Sequence, residues 1–239
     1  MGRRYHTGAR VSEKIAALRG LLLTLKQRGY RFITPTPATH ARVIAREGKQ
    51  QAQDLRDVFG WSLPFAPGVV DEVLLSFLRG ADMLEERGGE MLRSLVRVSS
   101  LEDNLFLHSA FPTTRSDAVF FGPDSYRFSN FLMDALPYLS PRTHTVDVGA
   151  GSGIGALTAV RSLPAGRVTL TDINPAALEL ARAADRETRD QEALKARKNL
   201  AAETALSRSS SGSRWAGSWR PGRPRRCSRW PPSRWGPTA

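Results

Sequence analysis

Thr145-Val-Asp-Val-Gly-Ala-Gly-Ser-Gly-Ile-Gly-Ala-Leu157, answered by Val168-Thr-Leu-Thr-Asp-Ile-Asn-Pro-Ala-Ala-Leu178, decides the fold of this 239-residue chain. Residues 145–148 read as a short buried strand entering a glycine turn, and 156–161 as the start of a helix. Glycine is needed where backbone turns tightly and must approach a ligand, because a Cβ would fill that space. Residues 167–171 read as a second strand ending in Asp172. In a βαβ unit this puts an acid at the carboxyl end of the neighbouring strand, where it can accept hydrogen bonds from a ribose diol.

The glycine spacing narrows the ligand. A dinucleotide fingerprint laid on Gly149 and Gly151 needs its third glycine at position 154, which is Ile154. The glycines fall instead at 149, 151, 153 and 155, with Asp147 two places ahead. This D-x-G-x-G-x-G pattern resembles motif I of the class I S-adenosylmethionine-dependent methyltransferases. The resemblance implies S-adenosyl-L-methionine as cofactor. It implies that Gly149, Ala150, Gly151 and Gly153 form the close-approach turn and that Asp147 takes the methionine amino end. Asp172 would then take the ribose hydroxyls, Ile173 the adenine face, and Asn174 would complete the set. S-adenosylmethionine has a ribose and a charged amino-acid end but no pyrophosphate, which agrees with the missing third glycine. The residues alone leave a nicotinamide enzyme, or a Rossmann-like fold that binds nothing, as alternatives. No catalytic side chain and no metal ligand set is singled out.

Composition bounds the remainder. At 41 % hydrophobic residues the chain can bury a core, and no run of about 18 apolar residues suggests a membrane span. One cysteine, Cys227, excludes an internal disulfide framework, and no secretory pattern is read at the N-terminus, so a cytoplasmic protein is expected. The net charge of +12 is concentrated. Residues 205–239 hold eight arginines and no acid, so removing them leaves +4 over the first 204 residues. The basic character belongs to the tail.

Along the chain, helices are expected over 12–28 (Ser12 capping, Gly29 past the end), 36–47, 52–59 and 69–87. Residues 91–99 and 105–108 alternate like an antiparallel pair around a turn at 102–104, and 117–121 reads as a third strand. Residues 129–139 are expected to be helical, with a loop at 141–144. The expected organisation is a helical N-terminal domain over 1–90, a β-hairpin connector over 91–122, the first half of a methyltransferase domain over 123–184, and a divergent basic tail over 185–239. The fold class is therefore α/β, an incomplete Rossmann-like methyltransferase fold behind a helical domain and a short hairpin. His108 reads as a structural histidine. Tyr126 and Arg127 read equally as lining a site mouth or as packing and capping the next helix.

This running order, over about residues 90–182, resembles the release-factor glutamine methyltransferases and their small-domain relatives. That likeness implies N-methylation of a protein side-chain amide, on a partner of the translation-factor type. It also implies that the stretch matching 121–128 lies as a loop over the cofactor, although its wording departs from the family's proline-arginine-proline-glutamate. The family's Asn-Pro-Pro-Tyr loop, which aims the target nitrogen, has no counterpart after Arg182. Residues 185–206 are instead charged and helix-prone, and from Ser207 onward the chain is rich in Arg, Pro, Ser, Gly and Trp, as out-of-frame translation of a GC-rich gene would be; 185–239 is expected to be a disordered basic tail. Impaired transfer follows as an expectation. The alternatives are a nucleic-acid-binding protein acting through its Arg/Trp-rich tail and a nucleic-acid base methyltransferase. The oligomeric state is not legible.

Overall fold

Leu18, Leu21, Leu22 and Leu25 recur at helical spacing, and all four are buried on one face of α1 (Arg3–Gln27). This computed structural model describes residues 3–138, 144–162 and 167–184; expectations for 139–143, 163–166 and the 185–239 tail lie outside the described residues. Helix α1 starts well before Ser12, which therefore lies inside it and is not a cap. Its C-terminus matches expectation. Gly29 adopts φ +69°, and its N–H and that of Tyr30 donate to the carbonyls of Lys26 and Leu25 at 2.9 and 3.0 Å. Those two bonds form a Schellman motif.

Three short helices follow, each opened by a side-chain cap. Thr36 Oγ1 accepts from Thr39 N–H at 3.2 Å before α2 (Pro37–Ile44), and Asp54 Oδ1 accepts from Asp57 N–H at 2.8 Å before α3 (Leu55–Phe59). Asp71 Oδ1 accepts from Val73 and Leu74 N–H at 3.1 and 3.2 Å before α4 (Glu72–Gly80). Leu74, Leu75 and Leu78 of α4 join the buried leucines of α1 in one core.

The helix expected over 69–87 is only half that length. Asp82, at φ +54°, takes the left-handed position, and Met83 N–H donates to Leu78 O at 2.8 Å, closing a second Schellman motif without glycine. The chain then forms β1 (Leu84–Glu86), antiparallel to β2 (Leu92–Ser94). The expected 91–99 strand is accordingly two strands broken at Leu95, the second being β3 (Val96–Leu101). It pairs antiparallel with β4 (Asn104–Ser109) through a two-residue turn, Leu101 opposite Asn104. Both faces of this hairpin are buried. Residues 117–121 are not a third strand. Ser109 N–H donates to Val119 O at 3.0 Å, but no ladder follows, and the alternation reflects Val119 and Phe121 entering the core.

Gly122 precedes α5 (Pro123–Ala135), which ends in a 3-10 turn at Leu136–Tyr138. Then come β5 (His144–Val148), α6 (Ile154–Ser162), β6 (Arg167–Thr171) and α7 over 175–184. β5 and β6 are parallel, Asp147 opposite Leu170 and Val148 opposite Thr171. The crossover through α6 makes this a βαβ unit. β5 is not fully buried as expected: Val146 is 50 % and Val148 82 % exposed. Side chains alternate, and the helices cover one face, with Leu170 beside Gly153 and Ala181. The chain is thus of mixed α/β architecture. All described residues belong to one unit, Met1–Lys195, and its core runs from α1 and α4 through the β3–β4 hairpin to Ile154, Leu157 and Leu180. Among the described residues no helix is long and apolar enough to cross a membrane.

Candidate functional site

The carboxyl ends of β5 and β6 meet at the glycine turn. Thr171 O accepts from both Gly149 and Ala150 N–H, at 2.9 and 3.0 Å, so β6 holds the turn as it leaves β5. Gly149, Gly151 and Gly153 all have positive φ, at 72°, 53° and 83°. Their surroundings differ. A Cβ built on Gly149 or Gly151 meets nothing within 4 Å, whereas one on Gly153 lies 2.9 Å from Ala181 Cβ. The first two glycines keep space open, and the third lets α7 close on the turn. The methyl of Ala150 is buried.

Two carboxylates flank the turn. Asp172 accepts from Gly151 N–H through Oδ2 and from Asn174 N–H through Oδ1, both at 2.8 Å. Two backbone amides therefore fix its plane and leave lone pairs on both oxygens. Asp147 Oδ2 accepts from Ala156 N–H at 2.8 Å in the first turn of α6. Burial pushes the Asp147 carboxyl above its ordinary range, the Ala156 bond opposes that, and the charge of Asp172 adds to it. Asp147 thus senses the charge of Asp172 across the turn. Asn174 caps α7, accepting from Ala176 N–H at 3.0 Å, and Ile173 beside it is 96 % exposed.

The structure brings together seven of the eight expected positions, Asp147, Gly149, Ala150, Gly151, Gly153, Asp172 and Asn174, with Ile173 projecting from the same edge. Phe128 was not named as a site residue by sequence, although it ends the 121–128 stretch that the resemblance places over the cofactor. A Cβ on Gly155 would lie 2.9 Å from its ring and 2.8 Å from Asp147 Oδ2, so Gly155 admits both side chains to the site's flank. Nothing in the spacing marks Phe128, because α5 is brought there by tertiary packing.

The 121–128 stretch is not a loop. Pro123 begins α5, with Gly122 N–H donating to Ser125 Oγ at 3.3 Å and Ser125 N–H to Gly122 O at 3.0 Å. Tyr126 points inward: its hydroxyl accepts from Thr34 N–H at 3.0 Å, and its ring meets Phe121 edge-on. Arg127 pairs with Asp124 at 3.5 Å on the surface. The packing reading fits Tyr126, whereas Arg127 is exposed and its pair with Asp124 supports neither reading. His108 is structural in its contacts, buried, with Nε2 2.7 Å from Ser99 Oγ and the ring stacked on Phe121.

No curated protein matches the chain. Residues 113–207 match the family model described as Methyltransferase small domain, a span that contains α5, the glycine turn and Asp172, and this match supports a class I methyltransferase.

Proposed function

We propose that the βαβ unit binds S-adenosyl-L-methionine, and that the chain is a methyltransferase of nitrogen acceptors, with a protein glutamine amide as target. The observation that carries the cofactor reading is the open turn at Gly149 and Gly151 beside an Asp172 carboxylate oriented by two amides. The residues present fit the group. A Cβ would fill the space above the turn, Asp172 keeps lone pairs for two hydroxyls, and half-buried Asp147 is an acid whose raised affinity for protons suits it to an ammonium. Exposed Ile173 offers an apolar surface for a flat base. When bound, the cofactor supplies an electrophilic methyl on sulfonium. The protein's share is orientation and exclusion of water. The glutamine acceptor rests on the likeness of the running order alone. Because the sequence contains no Asn-Pro-Pro-aromatic loop, turnover by this chain is proposed to be slow or absent, and binding is the decisive measurement.

Titration calorimetry with S-adenosylhomocysteine is expected to show one site. Asp172→Ala removes charge-assisted hydrogen bonds of about 1.5–3 kcal/mol, weakening binding on the order of 10- to 100-fold. Absence of binding at millimolar ligand, or an unchanged affinity in Asp172→Ala, would refute the reading. A second arm uses pH. An ammonium beside Asp147 would lower its raised pKa, so affinity falls as pH drops through that value. Methylthioadenosine, which lacks the amino-acid end, is expected to show no such fall, and the same fall for both ligands would remove Asp147 from the amino-end role.

A further inference from the structure

Asn174 joins three separate parts of the fold. Its N–H donates to Asp172 Oδ1 at 2.8 Å, its Oδ1 accepts from Ala176 N–H at 3.0 Å, and its Nδ2 donates to the carbonyl of Asp117 at 2.9 Å, across 57 residues of sequence. The first is an Asx turn in which the Asp172 side chain accepts from a main-chain N–H, and the second is the bond of any capping asparagine. The third is neither, and capping does not require it.

The carbonyl it reaches is held in a defined turn. Arg115 grips the Asp117 side chain through two bonds of 2.9 Å, and Ala118 N–H donates to Arg115 O at 3.1 Å. Val119 is fastened to Ser109 in both directions, N–H to Ser109 Oγ at 2.8 Å and O from Ser109 N–H at 3.0 Å. The turn is therefore held from the β4 side, and among the described residues Asn174 is its hydrogen-bonded tie to the end of β6. We propose that Asn174 is a positioning residue, latching the 115–119 turn against the strand end that carries Asp172, so that this turn forms a wall of the ligand site. The proposal rests on the cofactor reading for the ligand and on the hydrogen bonds alone for the latch. It changes the role expected of Asn174, which acts through Asp172 and Asp117 instead of through the cofactor.

Two variants separate latch from cap. Asn174→Asp and Asn174→Ser both retain a good N-cap acceptor. Both remove the Nδ2 amide donor to Asp117, and only the first adds charge. Hydrogen exchange resolved at Ala118 and Val119 is expected to accelerate roughly five-fold or more in both variants, the equivalent of one lost hydrogen bond of about 1 kcal/mol. Affinity for S-adenosylhomocysteine and for methylthioadenosine is expected to fall by a similar factor in Asn174→Ser, since the wall serves the nucleoside end they share. Unchanged exchange at Ala118 and Val119 in both variants overturns the latch. Faster exchange with wild-type affinity for both ligands overturns the positioning role. If the wild type binds neither ligand, the cofactor reading and the wall fall together, while the exchange measurement still decides whether the latch exists.

Discussion

Lowering the pH from 7 to about 4.5 is expected to cost this protein on the order of 3 kcal/mol of folding stability, because two neutral histidines are buried with no carboxylate of the described residues acting on them. His40 donates through Nε2 to Trp61 O at 3.0 Å, lies against Trp61 and Phe111, and has no partner for its buried Nδ1. Protonation would place a second N–H where nothing accepts it. His108 sits across the strand pair from Arg97, which is itself buried with one Nη unpartnered, its Nε held by Gly60 O at 2.9 Å and its guanidinium over the Phe32 ring. Burial, then the charge of Arg97, lowers His40 from 6.5 to about 4 and His108 well below its ordinary value. The other titratable groups sensing Arg97, Tyr30 and Tyr126, are uncharged in this range, and burial raises both further.

The folded-state pKa is depressed, so between about 6.5 and 4 the unfolded chain binds more protons. Stability is therefore complete above 6.5 and is lost as pH falls toward 4. At about 1.4 kcal/mol per unit, the His40 shift alone gives roughly 3 kcal/mol by pH 4, and His108 adds in the same direction. Asp71, Asp82 and Asp117 have pKa values lowered by arginine or lysine partners, so their contribution persists above 3.8 and is lost only below it. Asp147, whose pKa is raised, runs the other way and offsets part of the loss. Urea denaturation at pH 7 and 4.5 measures the difference. In His40→Gln/His108→Gln, which keeps amide donors at both positions, the two curves are expected to converge. A wild type that loses less than about 1 kcal/mol would show that these rings find protons cheaply.

How much of this was legible depends on whether a residue's neighbours in space are also its neighbours in sequence. The βαβ unit was readable: strand 167–171 lies where it was expected, and the helix expected from 156 begins at Ile154, because a glycine turn between an apolar strand and an apolar helix is a local signal. The end of α4 was not, since Asp82 takes the left-handed position where glycine is the usual marker. Val119 and Phe121 alternate like strand residues because the core takes both, and no local rule distinguishes burial from pairing. The cluster of Arg97, Ser99, His108 and Thr34 is spread over 75 residues and gathered only when the hairpin packs under the 30–34 segment. The link from Asn174 to Asp117 is of the same kind. For the site, the glycines and acids were visible as a motif, but the sequence could not say which glycines face open space and which face protein.

That last distinction yields the sharpest mutational contrast. Gly151 and Gly153 share a left-handed backbone, and any L-residue there costs about 1–2 kcal/mol in strain. At Gly151 the cost ends there, since an added Cβ meets no atom within 4 Å. At Gly153 the Cβ lands 2.9 Å from Ala181 Cβ and 3.4 Å from Leu170 Cδ2, between α7 and β6. Valine at that position adds overpacking of about 1–3 kcal/mol, for a total of about 2–5 kcal/mol, a large share of a marginal stability of about 5–15 kcal/mol. Gly153→Val is therefore expected to lower the denaturation midpoint severely or to prevent folding, and Gly151→Ala to lower it mildly. Ligand binding should invert the usual correlation between damage and stability. Gly151→Ala, folded and monodisperse, is expected to lose at least ten-fold in affinity for S-adenosylhomocysteine, because its methyl occupies the space the ligand must enter. A Gly151→Ala protein that binds as well as wild type would mean that ligand does not approach the turn at this residue. A Gly153→Val protein as stable as wild type would mean that α7 can yield, and that the tight junction of helix, turn and strand is not what holds Asp172 in place.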